Sequence, residues 1–311
     1  MSRSDFLYID GAGARTNYGV AVQEGGYHGV VEWPDLKTPD FIDWPELPGI
    51  EPDLLNPCLE PKKGIRLDLF CDNAPGGVDD LMAVLHSSAY HDFYFKEIGV
   101  SVPLRFKSVS SRRRVDSLEL FTLEMACDES YLTQMSPNLG DKVYLAFDGQ
   151  RLLFNDKLLM FTAYDEGLES HTFFSVPARG LLIDGVDVSH YWAIPLEGTR
   201  EAITQAAPLK DNLILTSKSM SGQSYPDNVA VKDRRQVDIP ILMRAVNPPL
   251  FWENYIGFLT MLVQPGHRTL TYNGQNHKFF YSSQSVREFV KLPGNEIWCQ
   301  FDLTVIFYEG D

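Results

Sequence analysis

Three groups of residues have the types and spacing to do chemistry. Asp10-Gly11-Ala12-Gly13 contains a G-x-G of the kind that cradles phosphate. That role needs a strand before the motif and a helix after it, and no helical pattern is expected to follow. Asp79 and Asp80 are adjacent carboxylates that acid–base catalysis could use. Neighbouring helical positions point about 100° apart, so the pair suits a helix N-terminus better than a shared substrate. Ser217-Lys218-Ser219-Met220-Ser221-Gly222 places hydroxyls beside an amine, but no Ser-x-x-Lys order occurs. The seven histidines are scattered, with His86 and His91 five apart and His267 and His277 flanking an expected strand. Cys58, Cys71, Cys127 and Cys299 form no C-x-x-C pair. The last three lie in apolar stretches, where cysteine acts as a small hydrophobe, as suits a reducing cytoplasm. Nucleophile-elbow, Walker, zincin and EF-hand patterns are absent. No catalytic residue, cofactor or metal ligand is assigned, and no enzyme is expected.

Charge narrows the classes further. The 311 residues carry a formal charge of −15. A surface that clamps nucleic acid needs clustered Lys and Arg, and the only basic run is Arg112-Arg113-Arg114, expected in a loop between strands. A hydrophobic content of 44% supports a sizeable core, and the length favours about two domains at roughly 150 residues each. No signal peptide is expected, and no apolar stretch approaches the ~20 residues of a membrane span.

The elements that position these residues occur twice. Leu7-Tyr8-Ile9-Asp10-Gly11 returns as Leu181-Leu182-Ile183-Asp184-Gly185, and Tyr18–Val22 returns as Trp192–Leu196, both at an offset of 174 (184 − 10 and 192 − 18). Ile65–Phe70 parallels Val237–Leu242 at 172 (239 − 67). A helical stripe follows in each half, over Val78–Tyr90 and Leu250–Val263. Arg105–Ser108 then matches Phe279–Ser282. Each half ends on alternating apolar residues, Leu118 to Met125 and Ile297 to Val305. The expected fold is mainly β (α+β): two similar β-sandwich or barrel modules, each with one packed helix, joined by a β-hairpin segment. The boundaries are 1–129, 130–179 and 180–311. In the middle segment, Lys142–Phe147, the turn Asp148-Gly149 and Leu152–Phe154 read as a hairpin, with a further strand in Leu158–Tyr164.

Between Glu32 and Pro61, seven prolines preclude helix and central strand. This long arm carries Trp33, Phe41 and Trp44, which need a covering surface. An adjacent subunit is the favoured cover, and Arg112, Arg113 and Arg114 are candidates for the same kind of contact. The corresponding stretch of the second half, Glu197–Arg235, reads as a flexible surface loop.

The order strand, turn, strand, long loop, strand, helix, antiparallel strands, carried by Phe6–Gly11, Tyr18–Val22, Leu67–Cys71 and Val78–Leu85 with their counterparts, resembles the tail-tube fold of long-tailed bacteriophages. That fold also builds distal tail proteins and baseplate hubs. The resemblance covers both halves but not 130–179. It implies a structural part of a phage or prophage tail tip, assembled in the bacterial host cytoplasm. Such a part forms a ring that continues the DNA channel from tube to tip. Implied partners are further copies of the chain (a trimer acting as a pseudo-hexamer, or a hexamer), other tail proteins, and DNA sliding past acidic walls without specific binding; no membrane is implied. Two other classes fit the composition: a carbohydrate-binding β-sandwich stacking sugars on Trp33, Trp44, Trp192 and Trp252, and a β-rich glycoside hydrolase with a carboxylate pair.

Overall fold

A computed structural model of the chain describes residues 5–23, 25–26, 28–72, 77–115, 118–128, 177–210, 230–292 and 294–310, with short pieces between 136 and 162 and between 215 and 224. The first part forms β1 (Leu7–Ile9), β2 (Ala12–Gly13), α1 (Ala14–Tyr18), β3 (Val20–Val22), α2 (His28–Val31), β4 (Phe41–Ile42) and β5 (Glu51–Pro52). β6 (Lys62–Asp72), α3 (Gly77–Leu85), β7 (His91–Phe95), β8 (Val100–Val115) and β9 (Leu118–Cys127) follow. Seven of these strands lie in the antiparallel order β2-β1-β7-β8-β9-β6-β3. β10 (Ser136–Pro137) pairs with β8.

Short strands then pair in three sets: β11 (Lys142–Tyr144) with β16 (Met160–Thr162), β12 (Ala146–Phe147) with β13 (Gln150–Arg151), and β14 (Leu153–Phe154) with β15 (Lys157–Leu158). Of the expected hairpin only Ala146–Phe147 and Gln150–Arg151 face each other; Leu153–Phe154 pairs onward with Lys157–Leu158, and Lys142–Tyr144 with Met160–Thr162. The Asp148-Gly149 turn itself lies outside the described residues.

The last part contains β17 (Leu181–Ile183), β18 (Val186–Asp187), a 3-10 turn (Val188–Tyr191), β19 (Ala193–Pro195), α4 (Thr199–Thr204), β20 (Leu215–Thr216) and β21 (Gln223–Ser224). β22 (Arg235–Ala245), α5 (Pro248–Leu262), β23 (Arg268–Tyr272), β24 (Gln275–Lys291) and β25 (Ile297–Phe307) complete it. Its large sheet runs β18-β17-β23-β24-β25-β22-β19, the same succession of roles as in the first sheet.

The echoed Asp-Gly turns occupy matched positions in these sheets. Asp10-Gly11 and Asp184-Gly185 each close a two-residue hairpin, with φ of 49° and 78° in the first pair and 50° and 82° in the second. Asp10 N donates to Asp92 O (2.9 Å), and its Oδ1 accepts from Asp92 N (2.8 Å). Asp184 repeats both bonds with Thr269, each at 2.8 Å. Asp10 Oδ2 meets His91 Nδ1 at 2.6 Å, and Asp184 Oδ2 meets Arg268 Nη1 at 2.9 Å. Each aspartate thus staples its turn to the neighbouring strand. Asp184→Ala loses the acceptor and leaves a β-carbon residue at positive φ without compensation. The expected cost is about 1–3 kcal/mol of unfolding free energy, read by urea denaturation. A loss below about 0.5 kcal/mol would show that the staple holds little.

Several sequence expectations need correction. Both sheets are open, so neither half is a closed barrel. Each half has short helices besides the long one, because the chain leaves β2 and β18 in a tight turn that it must complete before entering the sheet's far edge. A five-residue helix, α1, therefore does follow Gly13; its N-terminal amides are taken by Asp5, whose Oδ1 accepts from Arg15 N (2.7 Å) and Thr16 N (2.9 Å). The strand expected at Tyr18–Val22 is shorter and pairs with β6 rather than returning along β1. Its counterpart is offset by 173 (193 − 20) instead of 174. The first long helix ends at Leu85, since His91 is already committed to β7. Glu197–Arg235 is not wholly loop, for it contains α4. Arg112–Arg114 belong to β8, paired with Phe121, Leu120 and Glu119. Leu118 and Leu120 do not share the inward face of Leu123 and Met125; the odd-numbered Phe121 does.

Both halves feed one continuous core. α5 is its centre, with Phe251, Trp252, Tyr255, Phe258 and Leu259 all buried. Pro248 and Pro249 open it and the Asn247 side chain accepts from Leu250 N, as a helix start requires. Trp252 Nε1 donates to Ile98 O (2.6 Å) and Tyr255 OH to Val31 O (3.0 Å), so the second helix satisfies its polar atoms on the first half.

Candidate interaction surfaces

The proline-rich arm leaves α2 and runs across the second sheet. Trp33 is 2% exposed. Its ring lies 4.7 Å from Tyr255, 5.3 Å from Phe301 and 5.8 Å from Phe258. The cover expected from an adjacent subunit is therefore supplied by the chain's own second half, where an aromatic pocket between α5 and β25 excludes water from the indole. Gln284 seals the pocket: its Oε1 accepts from Trp33 N and its Nε2 donates to Tyr255 OH, both at 2.8 Å. Tyr281 OH donates to Pro34 O (2.8 Å) and Leu36 N to Ser282 O (2.8 Å). Farther on, Ile50 N donates to Tyr308 O (2.8 Å). Gly49 has φ +68°, and a β-carbon there would sit 1.8 Å from Tyr308 O, so only glycine permits this approach.

The middle of the arm turns outward. β4 and β5 pair as a small hairpin. Phe41 is 40% exposed, Ile42 52%, Trp44 52% and Leu47 58%, a cluster too apolar for ordinary surface. The hairpin is held from below. Lys210, 2% exposed, donates from Nζ to Asp43 and to Trp44 O (2.8 Å). Arg234 lies over the Phe41 ring at 4.5 Å. The sequence gives no local signal for Lys210, because its partners lie over 160 positions away. Residues 40–55 contain five carboxylates and no Lys or Arg.

The end of the β8–β9 hairpin is the second exposed feature. β8 is buried at Val100, Val102 and Leu104 but exposed throughout 110–115. Arg112 bridges Asp79 (3.1 Å) and Glu119 within the chain. Arg113 and Arg114 are exposed and form no ion pair among the described residues. Residues 105–115 hold five Lys or Arg and no carboxylate.

Other candidates resolve into structural roles. Trp252 is fully buried and Trp33 nearly so, which removes two of the four rings of a sugar-stacking platform. Cys71, Cys127 and Cys299 are buried in strands, while Cys58 is exposed. A cleft of about 530 Å³ lies beside α4, lined by Thr204, Lys232, Arg235, Asn276 and His277. Arg235 is committed there: its guanidinium donates to the carbonyls of Ala202, Ile203 and Gln205 at the end of α4 and lies 4.9 Å above Phe307. Burial pushes the Cys299 thiol well up, away from the thiolate a nucleophile needs. Of the Ser217–Gly222 segment, Ser217 and Met220 lie outside the described residues. Among the described residues, no group of three or more His, Cys, Asp or Glu is placed to hold a metal ion, and no helix is long and apolar enough to cross a membrane. Comparison with protein-family models and with curated proteins finds no match.

Proposed function

We propose that this chain is a structural component of a phage or prophage tail tip, built from two copies of one ancestral module. In this reading it forms a ring that continues the DNA channel and joins tube to tip. One observation carries the reading: two large sheets in which seven strands follow one order, and whose Asp-Gly turns repeat the same two bonds, one backbone and one side-chain. Chance resemblance of two β-rich domains gives no reason for Asp10 and Asp184 to bond identically to equivalent strands. A fused pair offers two quasi-equivalent positions per chain, so three chains supply six. Each position is then free to diverge toward a different neighbour, one a sixfold tube and the other a threefold tip. The shared core fixes the two modules relative to each other, as a ring with a defined lumen requires. The −15 charge suits a lumen along which DNA slides without adhering.

Negative-stain imaging and sedimentation of the purified chain test the proposal. The expected result is annular particles of three or six chains with a central hole. Compact particles of one or two chains, at every concentration and in the presence of the other tail proteins, would overturn it.

A further inference from the structure

The two exposed surfaces described above are opposite in charge and alike in build. The arm hairpin presents Phe41, Ile42, Trp44 and Leu47 among Asp40, Glu46 and Glu51. The β8–β9 end presents Val115 (39% exposed) and Leu118 (38%) beside Arg113 and Arg114. Each is an apolar centre with a charged rim, the usual anatomy of a protein–protein contact. Each charge set is partly neutralised within the chain, Asp43 by Lys210 on the arm and Arg105 and Arg112 by Asp128, Asp79 and Glu119 on the hairpin, which leaves Asp40, Glu46 and Glu51 on one surface and Arg113 and Arg114 on the other without an ion pair among the described residues. In a chain of net charge −15, five cations in eleven residues without a carboxylate is a local inversion of the prevailing sign. It would be drawn to the acidic arm of a neighbouring copy.

We infer that the arm hairpin of one copy receives the β8–β9 end of the next copy of this chain. The contact joins two different patches, so it is head-to-tail, and it propagates around a ring when the rotation closes. The inference rests on the ring reading and names the surfaces that make the ring. Lys210 and Arg234 belong to the contact indirectly, as positioning residues: one pins Asp43 and the Trp44 carbonyl, the other backs Phe41, so the arm is presented in a fixed shape. Preorganisation of this kind lowers the ordering cost of association.

The test is charge exchange on the full-length chain, read by sedimentation velocity. The parent is expected to associate, and to do so more weakly as salt rises from about 0.1 M to about 1 M, where the screening length falls from about 10 Å to about 3 Å. Arg113→Glu with Arg114→Glu on the hairpin, or Glu46→Arg with Glu51→Arg on the arm, is expected to weaken association at least about tenfold. The chain carrying all four substitutions is expected to recover it, and an equimolar mixture of the two variants to associate more strongly than either alone, because opposite charges again face each other. A misfolded variant could not recover in this way. Parent-like association of both double variants would remove this contact and leave the ring reading standing. A parent that stays monomeric at every salt concentration, with the other tail proteins added as well, would remove both.

Discussion

Trp33→Ala is expected to lower the unfolding free energy by about 3–5 kcal/mol, the range for emptying a large aromatic site in a core. The indole is enclosed on three sides by Tyr255, Phe258 and Phe301, with Tyr281 edge-on at 6.2 Å. These partners lie in the second half of the chain, whereas Trp33 follows directly on α2 of the first. Truncation therefore loses packing and also frees the arm from the surface it crosses. Urea denaturation reads the first effect. Limited proteolysis reads the second, through faster cleavage between 34 and 61. Trp33→Phe separates packing from polarity. Its Nε1–H has no acceptor among the described residues, so phenylalanine gives up no hydrogen bond and should cost well under half as much. A loss below about 1 kcal/mol for Trp33→Ala would mean that the pocket closes over the gap and that the arm is held by its backbone bonds alone.

What the sequence disclosed followed how local each signal is. The Asp-Gly turns were legible because a two-residue hairpin with both residues at positive φ selects those residue types. The stripe Val78, Leu81, Leu85 and the Pro-Pro start of α5 were legible because helix periodicity and capping act within a few positions. Sheet partners were not. Val20–Val22 alternates no differently whether it pairs with β1 or β6, and the choice of β6 is made by α1, which carries the chain to the other edge. Arg112–Arg114 looked like a loop because a strand beyond the core's edge has no apolar face to betray it. Trp33 and Trp44 looked alike, eleven residues apart in one proline-rich stretch, yet one is the plug of the core and the other half exposed. Only the aromatic pocket on the second half distinguishes them. Of the six candidate contact residues, Phe41, Trp44, Arg113 and Arg114 remain on the surface unclaimed by ion pairs, Arg112 is paired within the chain, and Trp33 is enclosed.

The same distinction governs Lys62, which begins β6 and resembles any strand-end lysine in sequence. Its side chain is buried, and Nζ donates to the Glu32 carbonyl at the root of the arm. Burial pushes its pKa from the ordinary 10.5 down to about 7, while Glu32 and Asp35 pull the other way. Burial likewise raises Asp35 and Tyr281 nearby, so the surroundings disfavour charge of either sign. A depressed lysine has a definite consequence for stability. Below about pH 7 both the folded and unfolded chains hold the proton, and the folded chain bears the full cost of enclosing an ammonium. Between about 7 and 10.5 the folded chain has released the proton while the unfolded chain keeps it. Unfolding then takes up a proton, and stability rises with pH at a slope approaching about 1.4 kcal/mol per unit.

Lys62→Met keeps the length of the stem and removes the titration. The quantity to follow is the difference in unfolding free energy between parent and variant, measured by urea denaturation from about pH 6 to about pH 9.5. Taking the difference cancels Cys299 and Tyr308, whose burial raises their pKa values and makes stability fall as pH rises. The parent is expected to gain on the variant by more than about 2 kcal/mol across that interval. Parallel profiles would mean that the ammonium stays protonated in place, held by Glu32 and Asp35. The root of the arm would then be an ion cluster around a buried ammonium rather than a neutral amine resting on a carbonyl.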